Sequence, residues 1–213
     1  MSQIFIREIE KLKTQLICMF RLVEESFTRA CRAVIEGDQA AAEQVFRKEQ
    51  EIDNKRVNLQ EECFKVIALH QPVAFDLRLV MATIKFNNDL ERIGDLAEGM
   101  ASRAQDLARL PPVAPPFDAE AMAKHVRAMM IRSLDALIKL DQALAVEVLA
   151  DEDAVDAAHH NNIALIKEQI RRQPEHLDAL INYILVSRYL ERIADHVTNL
   201  AEEVIYITEG EII

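Results

Sequence analysis

The chain has 213 residues, 50% of them hydrophobic, with a net charge of −11. That charge argues against a partner bound through a phosphate backbone, because such binding depends on Lys and Arg neutralising phosphates. Four glycines, no Trp, and an excess of Ala, Leu, Ile, Glu, Arg and Gln favour helix over sheet. No run of about 18 apolar residues is present to span a membrane. The N-terminus meets Glu8 and Glu10 before any apolar stretch of signal-peptide type can form. Cys18, Cys31 and Cys63 form no Cys-x-x-Cys pair and read as reduced core thiols of a cytoplasmic protein.

The first predicted helix runs from about Ser2 to Ile35. Ile6, Ile9, Leu12, Leu16, Met19, Phe20, Val23 and Phe27 recur in steps of three and four, the mark of an amphipathic helix. Gly37 suits the position after a helix C-terminus and Asp38 the N-cap of the next helix. The second helix runs to about His70, with Val45, Ile52, Leu59, Phe64 and Ile67 as its apolar side; Gln71-Pro72 ends it. The third helix starts near Val73 or Asp76 and reaches Leu107, with Leu77, Val80, Met81, Ile84, Leu90, Ile93 and Leu96 on its stripe. A Pro-rich linker, residues 110–116, follows and is expected to be extended. Three more helices are expected over about Asp118 to Leu140, Asp141 to Arg172 and Glu175 to Thr208.

The second half repeats the first. Leu90, Glu91, Arg92, Ile93 and Asp95 recur as Leu190, Glu191, Arg192, Ile193 and Asp195. Residues 38–53 align with 141–156, and Asp38, Gln39, Ala40, Ala42, Val45, Glu49 and Asp53 are identical in the two. Gln71-Pro72 returns as Gln173-Pro174. The fold class is therefore all-α: six long helices as two tandem, pseudo-symmetric antiparallel three-helix bundles. The expected divisions are 1–109 for the first bundle, 110–116 for the linker and 117–213 for the second bundle.

Each bundle carries Glu-x-x-x-Asp on its second and third helices: Glu49 with Asp53, Glu91 with Asp95, Glu152 with Asp156, and Glu191 with Asp195. Residues four apart share a helix face, so each pair sets two like charges one turn apart. Antiparallel packing would face pair against pair, and such a cluster needs a counter-charge. Arg92 and Arg192 adjoin the glutamates, but neighbours on a helix point about 100° apart, so they are not expected to serve their own Glu. A cation bound by oxygen ligands is the other solution: iron, manganese, magnesium or calcium, with zinc also compatible. Asn199 and Glu202 continue the Glu191/Asp195 face, whereas Gly99 stands at the counterpart of Asn199, which makes the second site the richer one. His159 and His160 follow Asp156 closely enough to add a nitrogen ligand, and His196 is read as facing away. A solvated acidic face is the bland alternative. A carboxylate-bridged di-metal oxidase is another, but it needs Glu-x-x-His from two helices, and only Asp156-x-x-His159 comes near that pattern.

The stretches Gln71-Pro72-Val73-Ala74-Phe75-Asp76-Leu77-Arg78, Asn88 to Asp95 and Arg188 to Asn199 resemble the two signature regions of the PhoU family, and the likeness extends over nearly the whole chain. The resemblance implies a pair of three-helix bundles, commonly assembled as a homodimer. It implies multinuclear iron or zinc clusters on Glu49, Asp53, Glu91, Asp95, Glu152, Asp156, Glu191 and Asp195, joined by Asn199; manganese or magnesium suits the same donors. It further implies a non-enzymatic adaptor between the phosphate ABC transporter ATPase and the phosphate-sensing histidine kinase. Such an adaptor restrains uptake and the phosphate-starvation response.

Overall fold

In the computed structural model, which describes residues 3–210, the chain is helical throughout: α1 Gln3–Glu36, α2 Gln39–His70, α3 Ala74–Leu107, α4 Ala119–Lys139, α5 Gln142–Ala150, α6 Glu152–Arg172 and α7 Leu177–Glu209. A single 3-10 turn, Pro174–His176, precedes α7. The expected helix start at Ser2 and the end of the second division at 213 lie outside the described residues.

The helix boundaries follow local chemistry that the two halves share. Asp38 accepts the Ala41 amide at 3.0 Å and caps α2. Its repeat partner Asp141 accepts the Leu144 amide at 3.1 Å and caps α5, and Asp118 caps α4 through Ala121 at 2.8 Å. Gly37 takes a φ of 69°, the left-handed conformation that closes α1. The equivalent junction after α4 uses Leu140 at φ 52°. Leu140 packs against the core, so burial there offsets a backbone geometry that glycine would adopt more easily.

The single fifth helix expected over Asp141–Arg172 is interrupted. α5 stops at Ala150 and α6 restarts at Glu152, whereas the equivalent α2 runs unbroken. At the junction the Asp151 amide reaches back to the Val148 carbonyl at 3.3 Å, a tighter turn than an α-helix makes. The Asp151 carboxylate is held by the guanidinium of Arg132 on α4. Glu152 and Asp153 then fill the first turn of α6, where the helix dipole favours negative charge.

Helices α1, α2 and α3 form the first bundle; α4 to α7 form the second. The bundles are joined broadly through α3 and α7, which pack antiparallel along their length. Facing residues run in opposite order: Lys85 with Glu203 at 2.5 Å, Asp89 with Asn199 at 3.1 Å, and Arg103 with Asn182 at 3.4 Å. One hydrophobic core runs through both bundles, from Phe27, Phe86, Leu90 and Ile93 to Met129, Met130, Leu180, Leu190 and Ile193. The Pro-rich linker is non-helical over 110–116, and it is tied down: the Tyr183 hydroxyl donates to the Val113 carbonyl at 3.0 Å, and Phe117 meets the Tyr183 ring edge-on.

Several assignments of the apolar stripes are corrected. Ile6, Phe64, Leu77 and Met81 are exposed, and in α1 the inward position belongs to Phe5. Phe64 and Met81 sit one position off the true buried rows, marked by Cys63, Val66, Leu79 and Val80, and Leu77 lies two before Leu79, so periodicity alone does not separate them. Cys31 and Cys63 are buried, and loss of hydration pushes both thiols up to about 12. Cys18 is exposed rather than a core thiol, because it lies just outside the Leu12–Leu16–Met19 row.

Candidate metal centre

The eight carboxylates expected on helix faces gather as two clusters. One lies between α2 and α3, the other between α6 and α7. In the second, one oxygen each from Asp156, Glu191 and Asp195 lies within 4.8 Å of the others, the only group of three such ligands among the described residues. Glu191 Oε2 is buried and without a hydrogen-bond partner. Burial raises Asp195 above the usual carboxylate range; Glu191 and Asp156 add repulsion, and His196 and Arg192 oppose it. Glu152 is likewise raised by burial and then by Asp195 and Asp156, which places the fourth predicted ligand beside the three. A part-buried, all-oxygen set with an unpaired carboxylate oxygen and like charge that His196 and Arg192 only oppose in part fits a hard cation.

The first cluster is built differently. Burial raises Glu49, and Asp53, to which it is hydrogen-bonded, raises it further; Glu98 and Asp95 add to the effect. Glu91 is raised by burial and by Asp95 but is opposed by Arg92 and Arg56. Arg56 on α2 sets its Nε 4.0 Å from Glu91, too far for a hydrogen bond but close for charge. Arg92 does serve its own glutamate, which corrects the sequence expectation. Its Nε lies 3.5 Å from Glu91, and its terminal nitrogen lies 3.2 Å from Asp95. The 100° offset between neighbours holds at the backbone, but the long arginine side chain spans it.

Asn199, the ninth expected ligand, is engaged by another acid. Its amide donates to Asp89 across the α3–α7 interface, and His196 Nδ1 lies 2.8 Å from the same carboxylate. His196 thus faces away from Asp195, as expected. Gly99, read from sequence as a missing ligand, occupies the pseudo-equivalent place on the other side of that interface. A Cβ there would lie 2.9 Å from Cζ of Tyr189, and Tyr189 is the repeat counterpart of Asp89. The Asn199/Gly99 difference is therefore a matter of helix packing: polar against polar at one end, ring against bare backbone at the other.

Two participants escaped the sequence reading. Glu98 is raised by burial and then by Asp95 and Asp53, so it belongs to the first cluster. It stands three residues after Asp95 and seven after Glu91, on one face, and that spacing could have revealed it. Arg56 aligns with His159 once the 38–53 to 141–156 match is extended by three residues. His159 Nδ1 lies 2.9 Å from Ser187 Oγ, which also accepts from Asn162 at 3.1 Å. His160 turns its Nδ1 back to the Asp156 carbonyl at 2.9 Å.

These shifts give a pH prediction. A carboxyl held above its ordinary value binds more protons folded than unfolded, so it stabilises the fold as pH falls toward the ordinary range. That contribution is lost as pH rises through the raised value. Glu49, Glu91, Glu98, Glu152, Asp195 and Glu203 all act in this direction. Glu25, Asp38 and Glu62, held low chiefly by Lys48, by the Ala41 amide and by Lys11, act oppositely, but only once pH falls below the ordinary range. In chelator, thermal unfolding at about pH 5.5 is expected to occur at a higher midpoint than at about pH 8. A midpoint that is flat or rises over that interval would contradict the clustering.

The comparisons agree with this architecture. The PhoU domain model matches the chain twice, over residues 16–104 and 119–204. The phosphate-specific transport system accessory protein PhoU homolog of Aquifex aeolicus (strain VF5) is 37% identical over 207 residues, covering 97% of this chain and 94% of that protein. The homolog of the same description from Burkholderia sp is 34% identical, covering 99% of this chain and 91% of its own length. The crystal structure of PhoU from Pseudomonas aeruginosa superposes with a TM-score of 0.93 at 33% identity, covering 97% of this chain and 100% of that one. The phosphate transport system regulatory protein PhoU from Streptococcus pneumoniae gives 0.88 at 25% identity, covering 98% and 99%. With two helical bundles, paired acidic clusters and matches of this length, the chain belongs to the PhoU family.

Proposed function

We propose that this protein is a regulatory adaptor of phosphate transport that couples the phosphate ABC transporter ATPase to the phosphate-sensing histidine kinase. In this reading it restrains uptake and the phosphate-starvation response when phosphate is plentiful. The observation that carries the reading is the match, over 97% of the chain, to relatives described as accessory proteins of the phosphate-specific transport system. No helix among the described residues is long and apolar enough to cross a membrane, so contact with a membrane transporter would go through the partner. The adaptor works from the cytoplasm and pairs as a homodimer.

Asp156, Glu191 and Asp195, with Glu152 beside them, would hold an iron, zinc, manganese or magnesium ion. A bound cation would supply the charge that these residues lack and so lock α6 to α7. The chain's own part is to set the carboxylates within reach of one another. The role of the ion is then structural or regulatory.

The test is capture of the transporter ATPase and the kinase from matched lysates by the tagged protein, together with loss of phosphate-dependent repression in a strain lacking it. Both partners are expected in the bound fraction. Retained repression in the deletion strain, with neither partner captured, would sink the adaptor reading.

A further inference from the structure

The two acidic clusters descend from one repeat unit, yet they differ in how their charge is met. We propose that they have divided their roles: the α6–α7 cluster takes a metal cation, while in the α2–α3 cluster Arg56 and Arg92 replace the metal as built-in counter-charges. This rests on the metal reading of the second cluster given above.

The deciding position is 56 in the first bundle and 159 in the second. Arg56 sets a permanent positive charge 4.0 Å from Glu91 and is held by a hydrogen bond from its guanidinium to Gln60 at 3.3 Å. Its backbone carbonyl accepts from Asn87 at 2.8 Å, which fixes α2 against α3 one turn before Glu91. His159 is the repeat counterpart of Arg56, and Ser187, which it contacts, is the counterpart of Asn87 one turn before Glu191. His159, whose Nδ1 lies 2.9 Å from Ser187 Oγ, lacks the permanent charge of an arginine. Arg92 closes on Glu91 and Asp95, whereas Arg192 acts on Asp195 only as the last and smallest of its charged neighbours.

The ligand geometry follows the charge. Three carboxylate oxygens converge, and Glu191 Oε2 is left without a partner, where no arginine forms an ion pair with the cluster among the described residues. Where arginine is present, Glu91 faces two guanidinium groups and Asp95 faces one of them. An ion entering the first cluster would have to displace or face two arginines. A cation 4 Å from a site of ordinary protein dielectric opposes a second cation by enough to weaken binding by at least about 100-fold.

The experiment counts Mn²⁺ bound to the full-length protein, stripped with chelator and dialysed, by the electron paramagnetic resonance of the free ion. The wild type is expected to show one class of tight site. Asp156→Asn with Asp195→Asn should abolish it, and Asp53→Asn with Asp95→Asn should leave it unchanged. Arg56→His with Arg92→Gln should add a second class of sites, itself removed by Asp53→Asn. His159→Arg should weaken the native class by at least about 100-fold, while His159→Gln, which adds no charge, retains it. Circular dichroism confirms that each variant is folded. Equal loss of Mn²⁺ from both aspartate double variants would overturn the division while leaving metal binding itself intact. No bound Mn²⁺ in the wild type, with none recovered using Fe²⁺ or Zn²⁺, would overturn the metal reading and the division together.

Discussion

Leu190→Ala is expected to lower the unfolding midpoint of the entire chain in one transition. Leu190 is about 1% exposed, and its repeat partner Leu90 is fully buried. Truncating a buried Leu removes its transfer energy and leaves a cavity, at a cost of about 2–5 kcal/mol. For a chain of this length each kcal/mol shifts the midpoint by about 2–4 °C. The sharper part of the expectation is cooperativity. A single core runs from α1 through α3 and α7 to α4, so loosening α7 removes the surface on which α3 rests. Amides of α2, which the mutated residue's helix does not carry, should therefore lose hydrogen-exchange protection along with those of α6. Far-UV circular dichroism gives the midpoint, and hydrogen exchange locates the loss, since the chain has no Trp to report it. Two separated transitions, with α2 still protected after α6 has opened, would show that the bundles are independently stable.

The second large effect lies at Gly99. Its missing Cβ leaves room for the Tyr189 ring, whose Cζ would stand 2.9 Å from an added carbon and whose hydroxyl would stand 3.1 Å away. Gly99→Leu must drive that ring out of the α3–α7 interface, and overpacking of this kind costs about 1–3 kcal/mol. In a Tyr189→Ala background the obstruction is gone, and the higher helix propensity of Leu should make the same substitution stabilising by up to about 1 kcal/mol. The sign should thus reverse between the two backgrounds, a coupling readable from denaturant midpoints in a double-mutant cycle. An equal cost in both would mean that Gly99 is there for some reason other than Tyr189. Metal content is expected to be unaffected by Gly99→Leu, because the residue faces α7 rather than the carboxylates.

The duplication, the three helices of the first bundle and the carboxylate pairs were legible in the one-dimensional pattern. Glu-x-x-x-Asp keeps its partners on one face whatever surrounds the helix, because the period of the backbone enforces it. Caps were equally local: Asp38 and Asp141 bond amides three residues away, and that bond needs no tertiary partner. The break at Asp151 was not local. It accompanies Arg132, 19 residues away on another helix, while the acidic run Asp151-Glu152-Asp153 is its one local sign.

The sequence by itself determined which residues share a helical face, and hence that four acid pairs would meet as two clusters. Only the tertiary structure decided which charges answer them. Arg56 reaches Glu91 from a different helix, Arg92 bends across a backbone angle between neighbours, and Asn199 bonds Asp89 across the α3–α7 interface. The physical reason is range. A helical face is fixed by hydrogen bonds four residues apart, whereas electrostatic neutralisation depends on where long side chains of separate helices come to rest.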